Sequence, residues 1–389
     1  MQKGNKVNNF LPPFLLLVAS VCHAQILPTS NGVGSMPDSW LLDTKVAPEW
    51  YSGKASPTPS TLETREPSQT EQQVIVQAQS LLSRTPAKAI ALIDNGKVVY
   101  VGYAAPANAD SLLHGFSIAK TLTAMAVGQA ICANKLKMDT RADALIPELA
   151  GKALGTATVY DLLRMASGSK ALNHDGTFQL TPEQLKVQNR PTNYLETLTE
   201  AKVADAEQGV FSPYKPGEHF VYKQTEPDVL GIMIHRATGQ TYAEWMQSHV
   251  LDLMGEAETN VIMQDRFGEG EAAGGVKLHM GDWVRFAVWV QKASKEKGCF
   301  GDFVREANKT QIKNEVVQKQ RRAGYFFSGY GYFMWTENEI APNSSWAQGY
   351  GGQRIGWFKD SNRAVVFFST ADTWAAEAYA LAKTWNHSH

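Results

Sequence analysis

Apolar and polar positions along this chain change rhythm twice. From Ala91 to Tyr103, ALIDNGKVVYVGY alternates apolar residues around Asn95-Gly96. That pair supplies the positive φ angles of a two-residue turn, so the segment predicts a β-hairpin. A helix-like stretch from about Glu71 to Leu82 precedes it. At the other end, GYGYFMW around Tyr330 to Trp335, QRIGWF from Gln353 to Phe358 and AVVFFST from Ala364 to Thr370 predict three strands followed by a last helix.

Between these strand-rich ends the pattern is helical. SIAKTLTAMAVGQAICANKLK, Ser117 to Lys137, is apolar on nearly every face, which predicts a helix buried among others. TVYDLLRMASG, Thr158 to Gly168, predicts a short helix closed by Gly168. In TEPDVLGIMIHRATG, Pro227 suits a first helical turn and Gly239 a stop. Thr241 and Glu244 have the spacing of a capping box that opens the next helix. The simplest architecture joins both chain ends in one antiparallel sheet and inserts a helical lobe, with residues 73–115 and 275–389 forming an α/β domain and 116–274 a helical one. No internal repeat is evident.

Composition adds that the chain folds: of 389 residues 43% are apolar and 19% charged, with 16 Phe, 13 Tyr and 10 Trp. Residues 25–72 are expected to be an arm or linker, because 53–72 are dense in Ser, Thr and Pro. Residues 1–24 read as a secretory signal peptide. Lys3 and Lys6 precede an apolar run from Phe10 to Cys22, and Cys22-His23-Ala24 leads into Gln25. That run, about 13 residues, falls short of the roughly 20 that span a bilayer, so no stable membrane span is expected after cleavage. Lipidation at Cys22 is the competing reading, against which Val21 stands where a small residue is expected. Losing the two lysines takes the formal net charge from −1 to −3, and nothing steers the protein toward nucleic acid. The basic group Lys313, Lys319, Arg321 and Arg322, interrupted by Glu315, reads as a solvated face. The expected location is the periplasm or the exterior, where Cys132 and Cys299 are free to bridge. Their spacing leaves open whether they do.

The candidate chemistry centres on His-Gly-Phe-Ser117-Ile-Ala-Lys120-Thr. A serine and a lysine three apart share one face of a helix. A desolvated lysine loses basicity and can accept the serine proton, which makes a nucleophile without histidine. The competing reading is an N-cap serine followed by an ordinary lysine. A second copy, Ser167-Gly-Ser-Lys170, contains a glycine at a helix end and reads as surface loop. Tyr222 in FVYKQTEPDVLG lies about 100 residues after Ser117 and just before a helix, a placement that suits a tyrosine sharing a proton with Lys120. In Gly349-Tyr350-Gly351-Gly352-Gln353 the glycines let a strand edge approach substrate, so that the Gln353 amide joins that of Ser117 as an oxyanion hole.

Taken together, SIAKT, TVYDLLRMASG, FVYKQTEPDVLGIMIHRATGQTYAEWM, GYGYFMW and GYGGQRIGWF resemble the serine β-lactamase and penicillin-binding-protein superfamily, in its esterase and 6-aminohexanoate-dimer hydrolase-like branch. The resemblance covers roughly Glu71 to Trp385. It implies an α/β plus all-α fold, a β-lactamase/transpeptidase-like antiparallel sheet flanked by helices with an inserted helical domain. It further implies Ser117 as nucleophile, Lys120 as its base partner, Tyr222 as proton-transfer tyrosine, acylation followed by deacylation by water, and no metal or organic cofactor. Two departures matter. Tyr350-Gly351-Gly352 stands where β-lactamases carry Lys-Thr-Gly or His-Thr-Gly, which removes a cation for a β-lactam carboxylate. Gln224 stands where Asn is usual, with a longer arm for a substrate amide. Both favour simple esters and linear amides as small-molecule substrates.

Three alternatives stay open at this stage. Gly115-Phe-Ser117-Ile-Ala119 also looks like the nucleophile elbow of an α/β-hydrolase, which requires a strand into the serine and a partner histidine; His219, His235 and His279 sit in no motif. The same scaffold also serves penicillin-binding or D-alanyl-peptide-recognising proteins with slow turnover, or a class C-like β-lactamase. The aromatics Trp283, Trp289, Tyr325, Phe326, Tyr330 and Trp335 are divided between core and pocket wall, with core favoured.

Overall fold

A computed structural model describes residues 35–42, 46–169, 193–199, 214–314 and 325–388. The signal-peptide reading and Lys170 fall outside them, as do Lys319, Arg321 and Arg322. Asn95 and Gly96, at φ 51° and 78°, turn the predicted hairpin between β2 (Ala87–Asp94) and β3 (Lys97–Tyr103). The small strands β1 (Tyr51–Gly53), β4 (Leu112–His114), β5 (Asn260–Ile262) and β6 (Val276–His279) pair in the order β1-β5-β6-β4. From the C-terminal part come β7 (Ile312–Lys313), β8 (Phe327–Tyr330), β9 (Trp335–Asn338), β10 (Ser344–Gly349), β11 (Gln353–Phe358) and β12 (Arg363–Ser369). These join the hairpin in an antiparallel sheet of order β3-β2-β12-β11-β10-β9-β8-β7. Both chain ends thus build one sheet, as the pattern predicts.

Helices cover both faces. Gln69–Arg84 and Ala375–His387 pack on one, where Trp346 meets the Tyr379 ring at 4.9 Å and Gln348 accepts from the Tyr379 hydroxyl at 2.9 Å. Met280–Ala293 covers the other, where the Trp357 indole donates to Ala287 O at 2.9 Å. Strand residues alternate between the two layers, so Trp346 and Gln348 face one way and Ala347 and Gly349 the other. The helix Ile118–Cys132 lies on that second side, against β10, with every residue from Ile118 to Gly128 buried. Its far end is tied to the helix Cys299–Ala307 by a Cys132–Cys299 disulfide with Cα atoms 5.7 Å apart. The helix Thr225–Thr238 ends at Gly239 with φ 77°, and Thr241 and Glu244 form the predicted capping box.

Four expectations change. GYGYFMW is not one strand but the end of β8, a turn over 331–334 and the start of β9, with Phe333 at φ 52°, and its Phe333 carbonyl accepts from Thr121 Oγ1 at 2.7 Å. The short helix stops at Leu163, because Met165 turns to φ 57° well before Gly168. Ser167 belongs to no surface loop; it is fully buried. The arm is docked: β1 joins the small sheet, and Arg65 bridges Glu71 and Asp94 at 2.6 Å each. Further forward, Met36 N donates to Thr370 O at 2.8 Å, and Met36 Cε sits 2.2 Å from where a Cβ on Gly351 would be. Among the described residues no helix is long and apolar enough to cross a membrane.

Candidate active site

The backbone delivers Ser117 from β4 through a tight approach. Gly115 N donates to Val276 O at 3.0 Å, Phe116 takes φ 46°, and the helix begins at Ile118. A side chain at positive φ is uncommon and costs energy; here it turns the serine out of the strand and onto the helix. The Phe116 ring is held in place, stacked on His114 at 3.8 Å and 5.9 Å from Tyr350. Ser117 stands at the N-cap position, yet its side chain makes no capping bond. The N-cap reading therefore fails, and the hydroxyl is left for other partners on a part-buried residue.

Those partners are Lys120 and Tyr222. Lys120 Nζ lies 2.9 Å from Ser117 Oγ, 2.5 Å from Gln224 Oε1 and 2.7 Å from Ala273 O. The two carbonyl oxygens can only accept, so they consume two N–H bonds. The serine alone of the three can also donate, so the contact in which Lys120 Nζ donates to Ser117 Oγ reverses when the amine is neutral and takes the hydroxyl proton. Burial agrees: Lys120 is 1% exposed, and its pKa falls to about 7 because desolvation outweighs the opposing charges of Asp228, Glu271 and Glu226. Tyr222 is hydrogen-bonded to Ser117, its ring 5.2 Å from Lys120 Nζ and 5.0 Å from the Trp335 ring. Burial pushes its phenol well above the ordinary range, so it rests protonated.

Gln224 is placed differently from the expectation. Its carbonyl oxygen serves Lys120, and its NH2 is the group left for a substrate carbonyl. Sequence reasoning missed the floor of the site. Ala273 contributes its carbonyl to Lys120 and its N–H to Asp228 Oδ1 at 3.0 Å, while Tyr194 OH donates to Glu271 at 3.3 Å. Burial raises Glu271 to about 7 and Asp228 well above its usual range, which keeps negative charge around the lysine low. The signal for this wall was the glycine-rich run from Gly268 to Gly275, where the backbone comes close to the lysine.

The strand beside the nucleophile is β10. A Cβ on Gly349 would lie 2.3 Å from Gly115 O, so only glycine permits that approach. Gln353 instead opens β11, paired with Gly349, and its side chain is wholly buried, donating to Tyr350 O and Ser369 O at 2.7 Å each. It braces the corner formed by Tyr350, Gly351 and Gly352. At the end of β10, Gly349 closes on Gly115 and the Tyr350 ring on Phe116, the two residues before Ser117. The cation expected to be missing finds no substitute in Arg354, which is 1% exposed and bonded to Gly352 O, Tyr379 OH and Asp372. Of the flagged aromatics, Trp283, Tyr330 and Trp335 are buried, and the last two surround Tyr222; Trp289 and Phe326 are part-buried and Tyr325 is at the surface. β4 leads into Ser117, but it pairs antiparallel with β6, and both sheets are antiparallel throughout, unlike the parallel sheet of an α/β-hydrolase. His235 pairs with Glu269 at 3.1 Å, and His219 packs on Tyr214.

Similar folds occur in solved structures. A 6-aminohexanoate-dimer hydrolase homologue from Bacillus anthracis superposes with a TM-score of 0.70 at 18% identity, covering 87% of this chain and 90% of that one. A penicillin-binding protein from Bacillus halodurans matches at 0.60 and 15% identity, over 78% and 99% of the two chains. A D-alanine carboxypeptidase from Burkholderia cenocepacia matches at 0.56 and 17% identity, over 82% and 99%. Residues 76–386 match the family described as Beta-lactamase. With four-fifths of its length inside that match and the antiparallel sheet, flanking helices and Ser-x-x-Lys helix all in place, the chain belongs to the Beta-lactamase family, whose members are generally serine hydrolases.

Proposed function

We propose that this protein is an exported serine hydrolase that cleaves ester or linear amide bonds through an acyl-enzyme on Ser117. The observation that carries the reading is the coordination of Lys120, with two partners that can only accept and one that can donate. In the first step the Ser117 proton passes to the Lys120 amine as Oγ bonds the substrate carbonyl carbon. The tetrahedral oxyanion collects N–H bonds from Ser117, at the positive end of its helix, and from the backbone at the end of β10. The lysine proton then reaches the leaving group through Tyr222, whose phenol rests protonated and so is an acid, and the carbonyl re-forms as the ester or amide bond breaks. Water attacks the acyl carbon in the second half, giving its proton back along the same route and releasing Ser117. The disulfide supports export, since such bonds persist in oxidising compartments.

Arg354 is committed to Asp372 and β10 ends without a lysine, so among the described residues this strand end offers no cation to a β-lactam carboxylate, which supports the ester and linear-amide reading. Mature protein assayed on p-nitrophenyl esters, linear amides, D-amino acid peptides and a chromogenic cephalosporin is expected to turn over the first two classes fastest. A stable fluorophosphonate or penicillin adduct with no turnover of any substrate would instead identify a binding protein.

The lysine also sets a pH dependence. Its protonated form lacks the lone pair, and its pKa is near 7, so kcat/KM is expected to fall about tenfold per pH unit below about pH 7. Glu271 holds the lysine pKa up, so Glu271→Gln is expected to move that limb to lower pH. A pH profile of both proteins checks the position and the sign.

A further inference from the structure

Ser167 has a lysine partner, but it is Lys223. Lys223 Nζ lies 2.7 Å from Glu226 Oε1, donates to Ser169 O at 2.6 Å and reaches Ser167 Oγ at 3.1 Å. Ser167 in turn donates to Glu226 Oε1 at 2.6 Å, and Thr225 Oγ1 donates to Glu226 Oε2 at 2.8 Å. The ion-paired side chains are 2% and 0% exposed, and Ser167 and Ser169 are fully buried. Val221 N adds a backbone bond to Met165 O at 2.9 Å, so residues 165–169 and 221–226 are stapled together along their length.

The placement of this pair gives it a role. Lys223 sits in sequence between Tyr222 and Gln224, and those two neighbours hold Ser117 and Lys120 while Lys223 points to the staple. Glu226 stands at the first turn of the helix Thr225–Thr238. An ion pair taken out of water recovers its desolvation only in a fixed geometry with all its hydrogen bonds made, so it tolerates little sliding of the chain segment that carries it.

We propose that Lys223 and Glu226 are positioning residues: their buried pair, anchored on Ser167 and Ser169, fixes the Tyr222 hydroxyl and the Gln224 carbonyl on the Ser117–Lys120 couple. The inference rests on the hydrolase reading above. It assigns Ser167 a supporting place instead of a catalytic one, since Ser167 and Lys223 are both buried.

The test uses mature protein with K223M, E226M and the double variant K223M/E226M. Each single variant strands one charge in the interior and is expected to lose thermal stability together with activity. The double variant removes both charges, and its melting temperature is expected to return toward that of the parent. Its kcat is nevertheless expected to stay at least about 30-fold low with KM little changed, because substrate contacts are intact while the proton path is loosened. Recovery of kcat along with stability would overturn the proposal, as would a loss confined to KM. A crystal structure of the double variant gives a readout independent of turnover: the Tyr222 to Ser117 hydrogen bond is expected to be broken, and an unmoved Tyr222 would equally refute the role. Parent protein with Ser117→Ala separates the two ideas, because turnover that survives it defeats the hydrolase site while leaving the structural readout standing.

Discussion

Substituting alanine for Ser117 is expected to lower kcat/KM on the best ester substrate by at least about 10⁴-fold, or about 5.5 kcal/mol of transition-state stabilisation. The loss is large because the hydroxyl is the one atom of the site that forms a covalent bond, while what remains, the helix amide and the binding surface, supplies only residual rate. Lys120→Ala should approach the same floor, and the double variant should fall no lower, since a nucleophile and its base act as one unit. Single-turnover assays with mass spectrometry of trapped protein check both points. Wild-type protein should gain the mass of one acyl group, and the alanine variant none. A variant that hydrolyses at the parental rate would remove Ser117 from the chemistry.

The second large effect concerns stability. Replacing Cys132 and Cys299 together by alanine is expected to cost about 2 to 5 kcal/mol, because the bond closes a chain segment with a sequence separation of 167. For a chain of this size that corresponds to a drop of roughly 2 to 6 °C in melting temperature. Calorimetry of the oxidised protein, the reduced protein and the double alanine variant measures it. The reduced and alanine proteins should melt together. Activity at 25 °C should change much less, since Cys132 closes the end of its helix opposite Ser117 and four turns of buried helix separate the two.

How much of this was legible in the sequence depended on how local each signal was. Asn95-Gly96, Gly239, the Thr241 and Glu244 box and the apolar run after Ser117 act within a few residues, and each element forms where the pattern predicts it. The Ser117, Lys120 and Tyr222 set was legible through spacing and resemblance, and its members lie within contact of one another. β10 was missed because SSWAQG is polar and short; it is a strand only through its pairing with β11 and β9. Gln353, expected through its amide as an oxyanion partner, opens β11, where its buried side chain braces the turn from β10. Ser167 read as surface because serines beside glycine usually are, and its burial depends on Lys223 and Glu226, more than fifty residues onward. The docking of the arm was equally invisible, for Ser- and Thr-rich chain carries no periodicity that would announce a partner.

That docked arm has a practical consequence. Tyr350 OH donates to Ser35 O at 3.2 Å, Met36 covers Gly351, and Tyr350 leans on Phe116 next to the nucleophile. Ser35 therefore stands beside the strand end that packs next to the nucleophile. An affinity tag fused there would crowd incoming molecules, and a small fluorophore would instead report their arrival and departure. Purification handles belong behind the terminal helix Ala375–His387, across the sheet from the helix that carries Ser117.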